Sequence, residues 1–322
     1  MKAIYESKID SLISHHQALK SSFKWEHDLN LHLVALNYVL NNKTVNPDRL
    51  KEAQQFIKEN TGLFSSFRGT NLFAICGLLV SENDMALSRL KTMMANVELA
   101  KKSGFKNSNY LPAALYALDK VYDGKDTEIF LKKAHDLYKE IKRNHPFLTG
   151  GDDYALAIIL ANNNGNSEAI EKNYRALAEA GFSKSNGLQM MSHILTLSDT
   201  ETEKLTKICI TVYEKLKENK LKINSTYYPA IALISLLPEE HTEDLIEVAQ
   251  SLKSQKGYKW LGKGMNVLIA SALIAGESVN QIQNEVLSTT LQVSIQSIIS
   301  AQIVALIAAV SASTTVAAST AS

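Results

Sequence analysis

Two neighbouring carboxylates, Asp152 and Asp153, are the residues of this sequence best suited to acid–base or metal chemistry. They follow two glycines, and they could hold a cation with Asp28 or Thr149, or flank a glycosidic bond with another acid. Aspartates at such a position also cap helices, and consecutive residues at a helix start point in different directions. The pair therefore has two open interpretations, a site of chemistry or a helix cap with surface charge.

Further polar and aromatic residues occupy similar short loops, each followed by an apolar run. Both tryptophans are among them, in Phe-Lys-Trp and Tyr-Lys-Trp contexts. If these loops share one edge of the molecule, they form a surface for a ligand or partner. The candidate ligand-binding residues are Trp25, His27, Asp28, Arg68, Asn71, Asp152, Asp153, Tyr154, Tyr227, Trp260 and Lys263. Helix N-termini at that edge would suit an anion, although repeated caps alone would also make it polar.

The other residues that could take part in catalysis or metal binding give weaker signals. The eight histidines form no HExxH, HxH or Cys/His pattern, so the sequence predicts no metal site and no cofactor. His27 and His32 are five residues apart and share a helix face poorly, and His193 is predicted to be a hydrogen-bonded core residue. Arg68 could bind a carboxylate or phosphate, or pair with a neighbouring loop acid.

A repeat must position these loops. Seven segments share an apolar or aromatic anchor residue, a short polar loop and an apolar helix. The anchors, spaced by 35 to 42 residues, are Phe23, Phe64, Phe105, Phe147, Phe182, Leu221 and Tyr258. This spacing fits one two-helix hairpin per unit.

Within each hairpin the two helices differ in character. The first, called the A helix, is amphipathic, with apolar residues at steps of three and four, as in Thr127–Asn144. The second, the B helix, has little polar surface and is predicted to be buried. The fold class is therefore all-α, with about seven α-α hairpins stacked as a right-handed superhelix or closed into an α/α ring. Residues 1–285 are predicted to form a single domain.

Composition limits the partners. With 34 Lys and Arg against 33 Asp and Glu, the net charge of +1 argues against nucleic acid. Cys76 and Cys209 lie in apolar runs and are expected to be buried free thiols of a reducing compartment. The first residues do not resemble a signal peptide, and no run of 18 apolar residues occurs.

The end of the chain differs from the rest, because residues 286–322 carry no charge. They are predicted to form an apolar capping helix at Ile295–Val310, where self-association is possible, and a frayed tail at Ser311–Ser322. Membrane contact through this helix is the less favoured interpretation, since polar residues interrupt it.

Three stretches carry a family resemblance. HPFLTGGDDYALAIILA, GFSKSNGLQMMSHILTL and YYPAIALISLL, with the Ala-rich tail, are similar to DUF4003, an uncharacterised family of Gram-positive bacteria. The likeness covers nearly the whole chain. It implies a cytoplasmic protein of unassigned activity and supplies no catalytic residues.

Two functions from different classes fit these observations. The first is a non-enzymatic binding or scaffold protein that holds an unknown protein or small molecule at the loop edge. The second is an α/α-ring hydrolase acting on a sugar or phosphate compound, with Asp28, Asp152, Asp153, Arg68 and both tryptophans at its mouth.

Overall fold

A computed structural model of the protein describes residues 1–237, 241–281 and 298–299, and these residues form helices without any strand. Polar residues between the apolar runs account for most helix ends. The helices are α1 (Ala3–Ser22), α2 (Asp28–Leu40), α3 (Pro47–Asn60), α4 (Thr70–Glu82), α5 (Ala86–Lys102), α6 (Leu111–Val121), α7 (Thr127–Asn144), α8 (Tyr154–Asn162), α9 (Ser167–Glu179), α10 (Asn186–Leu195), α11 (Thr202–Glu218), α12 (Tyr228–Ser235), α13 (Thr242–Ser254) and α14 (Gly262–Gln281). Short 3-10 turns precede α8, α12 and α14.

The helices alternate between the two predicted characters, so odd numbers are A helices and even numbers are B helices. All eight residues of α12 are buried, whereas α3 buries only Leu50, Ala53 and Ile57. A helix with a single apolar stripe can lie outside, while one that is apolar all round must be covered. The predicted all-α chain of seven A–B hairpins is confirmed for the described residues.

Contacts between Cα atoms group the described residues into two compact units. Unit 1 contains residues 1–9, 136–153, 160–237 and 241–281, and unit 2 contains residues 10–135, 154–159 and 298–299. Each unit is described by itself below. The single domain expected over residues 1–285 stays a prediction.

Local sequence signals explain where individual helices begin and how the chain reverses. The side chains of Asn46, Asn166 and Ser185 each accept a hydrogen bond from a backbone N–H in the first turn of α3, α9 and α10. Gly104 and Gly181 follow A helices with φ of 109° and 97°, values that favour glycine. The chain can therefore turn sharply from an A helix towards its B helix.

The buried anchors hold neighbouring repeats together with a recurring geometry. In unit 2, Phe105 packs edge-on against Tyr154 at 5.0 Å between ring centroids, and the Tyr154 hydroxyl accepts from the Lys106 N–H. In unit 1, Phe182 packs edge-on against Tyr228 at 5.1 Å, and the Tyr228 hydroxyl accepts from the Ser183 N–H. Each tyrosine begins a B helix, so one repeat is bonded to the turn of the repeat before it.

Two of the predicted anchor residues are not buried. Phe64 and Phe147 are 97% and 99% exposed, whereas Phe105, Phe182 and Tyr258 are buried. In the second hairpin the buried ring belongs to Phe67, and in the fourth hairpin the buried turn residues are Thr149 and Asp153. The anchor role expected of Phe64 and Phe147 was wrong, because these turns place the first inward side chain two or three residues later.

The C-terminal predictions lie almost wholly outside the described residues. The helix expected at Ile295–Val310 and the tail at Ser311–Ser322 are described only at Ile298 and Ile299, which are helical and buried. Within the described part of the chain, no helix has the length and apolar character needed to cross a membrane.

A matched pair of substitutions in unit 1 tests the role of the anchors. Phe182→Ala should lower the free energy of unfolding by about 3–5 kcal/mol, since it empties a packed site against Tyr228. Phe147→Ala should change it by less than about 0.5 kcal/mol, because that ring is exposed. Urea unfolding of both full-length variants measures the difference. Equal destabilisation by the two changes would show that the anchor assignment is wrong.

Candidate functional site at the A-to-B turns

The segments that connect each A helix to its B helix, called the A-to-B turns, contain or adjoin all the candidate ligand-binding residues. They comprise residues 23–27, 61–69, 103–110, 145–153, 180–185, 219–227 and 255–261. In unit 2, the Asn71 side chain at the start of α4 donates to the carbonyls of Ser66 and Asn109, at 3.0 and 2.6 Å. This one amide thus ties its own turn to the turn of the next hairpin.

The turns of unit 1 are also in contact with one another. The Asn186 side chain donates to Asp152 Oδ2 at 2.6 Å, which joins the fourth turn to the fifth hairpin. A Cβ at Gly187 would lie 1.8 Å from the Ser225 carbonyl oxygen, so only glycine permits this approach of the fifth hairpin to the sixth turn. Gly264 lies equally close to the ring of Tyr227. Within each unit, successive turns are therefore neighbours.

The aromatic residues of these turns are unusually exposed. Among the described residues, every large apolar side chain that is more than three quarters exposed lies in an A-to-B turn. These side chains are Trp25 at 100%, Leu63 at 78%, Phe64 at 97%, Phe147 at 99% and Trp260 at 84%. Single exposed apolar residues are common on protein surfaces, but here one structural position collects them.

The two adjacent aspartates point in different directions. Asp153 is fully buried, and its Oδ2 accepts from the Gly150 N–H at 2.9 Å. Asp152 instead accepts from the Asn186 side chain. The carboxylates share no substrate position in this arrangement, and each has a partner within the fold.

A buried polar cluster surrounds Asp153 in unit 1. The Gln189 side chain donates to Thr149 Oγ1 at 2.7 Å, and His193 Nδ1 lies 3.7 Å from Asp153 Oδ1, too far for a hydrogen bond. Asp153 Oδ1, Gln189 Oε1 and both ring nitrogens of His193 have no hydrogen-bond partner among the described residues. The hydrogen bond predicted for His193 is thus not formed there, although the residue does lie in the core.

Burial keeps this cluster uncharged at neutral pH. It raises the pKa of Asp153 to about 8, aided by the charge of Asp152 and only partly offset by the Gly150 N–H and Lys142. Burial, together with His145, lowers the pKa of His193 to about 3. Asp153 and His193 therefore meet as a neutral acid and a neutral imidazole, and the short separation is not an ion pair.

Arg68 binds the end of the preceding helix. Its guanidinium donates to Thr61 Oγ1 at 3.1 Å, to the Thr61 carbonyl at 2.6 Å and to the Lys58 carbonyl. Carbonyls at a helix C-terminus lack helical partners and carry partial negative charge, which a cation stabilises. Neither alternative considered for Arg68, an anionic ligand or a loop acid, describes these contacts.

Four other candidates occupy different environments. Tyr154 is buried against Phe105, and Tyr227 is half-buried, with its pKa raised by burial. His27 caps α2, its Nδ1 accepting from the Leu29 N–H at 3.3 Å, and Lys263 is exposed. Exposure leaves Lys263 accessible to a ligand, whereas the contacts of Tyr154 give it a packing role.

Asp28 belongs to a cluster in unit 2 that the sequence patterns did not reveal. It lies 3.3 Å from His16 on α1 and 3.3 Å from His32 on α2, and Lys20 donates to it at 2.7 Å. The signal within the sequence was the Asp-x-x-x-His spacing of Asp28 and His32, which places both on one helix face. His16 comes from the preceding helix, so no local motif includes it.

The protonation of Asp153 predicts a pH-dependent difference in stability. The folded-state pKa of about 8 exceeds the ordinary value of 3.8, so between these values the unfolded chain releases a proton that the folded chain keeps. The wild type should lose stability relative to Asp153→Asn as pH rises from about 4 to about 8, by up to about 1.4 kcal/mol per pH unit. Urea unfolding at several pH values measures the difference.

The control for this prediction is Asp136→Asn, which removes an exposed carboxylate of α7. That variant should follow the wild type across the same pH range. A constant difference between wild type and Asp153→Asn from pH 4 to 8 would show that Asp153 is ionised in the folded protein.

Comparison with known proteins places the chain in a family without a known activity. The model of the family "Protein of unknown function (DUF4003)" matches residues 15–304. The uncharacterized protein YeaA of Bacillus subtilis (strain 168) is 29% identical over 283 residues, which cover 85% of each chain. No solved structure matches. The resemblance seen in the sequence is therefore confirmed, and the chain belongs to the DUF4003 family.

Proposed function

We propose that this protein is a non-enzymatic binding protein whose A-to-B turns hold a partner protein. The observation that carries the proposal is the exposure of Trp25, Phe64, Phe147 and Trp260, all in these turns. Tryptophan and other large aromatic side chains contribute most of the energy at many protein interfaces, because they bury a large area at small entropic cost. Within each unit the turns are adjacent, so the rings of one unit can act on one partner.

Charge supports a protein partner over nucleic acid. The chain carries a net charge of +1, and nucleic-acid binding depends mainly on clustered lysine and arginine that neutralise phosphates. The guanidinium of Arg68 keeps its charge but already donates to Thr61 at the end of α3, so it is not free to bind a phosphate. The turns do expose seven lysines, Lys24, Lys106, Lys184, Lys220, Lys222, Lys256 and Lys259, so the choice of a protein partner rests on the exposed rings and on the net charge of the whole chain.

The contacts of the candidate carboxylates count against the alternative hydrolase. A glycosidase needs two acids that face one bond from opposite sides. Asp152 is bonded to Asn186, and Asp153 is fully buried and neutral at pH 7. Asp28 is in contact with Lys20 and two histidines. No observation in the described residues favours hydrolysis over binding.

The cysteines support a cytoplasmic location for this function. Cys76 and Cys209 are both buried free thiols. Cysteines of proteins in oxidising compartments are mostly paired, whereas free buried thiols are typical of reducing ones. We therefore expect the partner to be a protein of the same compartment.

A pair of matched variants tests the proposed function. The turn variant carries Trp25→Ala, Phe64→Ala, Phe147→Ala and Trp260→Ala, and the control variant replaces the exposed residues Met85, Ile129 and Ile210 of other surfaces with alanine. Partners that co-purify with full-length protein from its own cells are quantified by mass spectrometry. The turn variant should retain them at least about tenfold less than the wild type and the control variant do. Equal retention by all three proteins would refute the proposal.

Tryptophan fluorescence gives a second measurement that needs no substitution. Trp25 and Trp260 are the only tryptophans of the chain, and both are exposed. A partner that covers the turns should move the emission to shorter wavelength and protect it from acrylamide quenching. Light scattering on the isolated protein detects the case in which the partner is a second copy. Binding of a purified partner with unchanged emission would place its site away from both tryptophans.

A further inference from the structure

We propose that His16, Asp28 and His32 form a binding site for a first-row divalent transition-metal ion such as Zn²⁺ or Fe²⁺. One donor atom from each residue lies within 4.8 Å of the other two. His16 Nε2 is 3.3 Å from Asp28 Oδ1, and His32 Nε2 is 3.3 Å from Asp28 Oδ2. The proposal rests on unit 2 alone and is independent of the function proposed for the turns.

The first hairpin brings these donors together. His16 lies on α1, Asp28 is the first residue of α2, and His32 follows one helical turn later on the same face. The two imidazole rings stack with their centroids 3.7 Å apart and their planes within 4°. Both Nε2 atoms face the same carboxylate in this orientation, but the ring planes are parallel, so one imidazole must turn about its Cβ–Cγ bond before both can point a lone pair at one ion.

The distances are compatible with a metal site as well as with hydrogen bonds. A charge-assisted hydrogen bond between nitrogen and carboxylate oxygen usually measures about 2.7–2.9 Å. Bonds of about 2.0–2.2 Å from zinc to nitrogen and oxygen, at tetrahedral angles, place neighbouring donor atoms about 3.3–3.5 Å apart. Both observed separations of 3.3 Å fall at that value, but they join the two histidines to different oxygens of Asp28, so the carboxylate would have to bind through both oxygens or turn.

The protonation states suit coordination. Burial lowers the pKa of His32 to about 4, helped by His16, and burial also lowers the pKa of His16. Burial raises the pKa of Asp28, but Lys20 and the two histidines outweigh it and lower the pKa overall. Two neutral imidazoles and one carboxylate are the forms that bind metal.

The ammonium group of Lys20 already contacts the cluster and would have to move when a metal ion binds. Lys20 Nζ donates to Asp28 Oδ1 at 2.7 Å, but its side chain is 61% exposed and can move into solvent. The His16 and His32 side chains are at least nine-tenths buried, while that of Asp28 is half exposed. An ion can therefore enter from the Asp28 side, where water would complete its coordination.

The donor types define the class of ion. Imidazole nitrogen suits Zn²⁺, Fe²⁺ and related ions, whereas Mg²⁺ and Ca²⁺ prefer sets made only of oxygen. Three protein donors with one or more positions open to solvent differ from closed structural zinc sites, which take four.

Titration of full-length protein tests the site. After treatment with EDTA and its removal, calorimetry with ZnSO₄, with Fe²⁺ in the absence of oxygen and with MgCl₂ gives stoichiometry and affinity. One Zn²⁺ or Fe²⁺ per chain should bind to the wild type, and Mg²⁺ should not. Asp28→Asn and His16→Gln should each weaken binding at least about tenfold, since each removes one donor. The matched control is His27→Asn, which removes an adjacent histidine and keeps a residue able to cap α2.

Thermal unfolding keeps the test decisive if His16→Gln does not fold. Zn²⁺ at about a hundred times its dissociation constant should raise the melting temperature of the wild type and of His27→Asn by roughly 4 °C. Asp28→Asn should melt near the wild type without metal and show no such rise. Absence of one-to-one binding of either ion to the wild type, or unchanged affinity in Asp28→Asn, would overturn the proposal.

Discussion

The fold depends on the side chains at the start of each B helix, which bind the turns around them. Asn71 donates to a carbonyl of the next turn, and Tyr154 and Tyr228 each accept from the backbone of the turn before. Each such bond joins one repeat to the turn of its neighbour and contributes about 0.5–1.5 kcal/mol to stability. A repeat array held this way has its register fixed at the turns, because a helix shifted by one residue would lose the bond.

This constraint also explains why the turns carry both buried polar and exposed aromatic residues. Positions that face inwards are occupied by polar groups that hydrogen-bond within the fold. Thr149 accepts from the Gln189 side chain, Asp153 accepts from the Gly150 N–H, and burial keeps Asp153 protonated at neutral pH. Positions that face outwards make no such bonds, and Phe147 and Trp260 occupy two of them with exposed rings. These rings are where the proposed partner would bind.

The sequence predicted the hairpins well because the repeat spacing depends on patterns of nearby residues. Spacing of the anchors and the apolar character of the B helices depend only on residues within one repeat. Phe64 and Phe147 failed because a turn of unknown length decides which residue points inwards, and periodicity stops where the helix ends. The separate environments of Asp152 and Asp153 depend on Asn186 and His193 from another hairpin, and those contacts have no local signature.

The cluster of His16, Asp28 and His32 lies at the first A-to-B turn. His16 and His32 stand on the two sides of the first A-to-B turn, and the segment between them contains Trp25. An ion bound to both histidines and to Asp28 would join the end of an A helix to the start of its B helix, and so restrict the turn that carries the exposed ring. Coordination bonds stabilise only the folded arrangement that assembles their donors. A metal at this site would thus favour one conformation of the first turn and lower the entropic cost when that turn meets a partner.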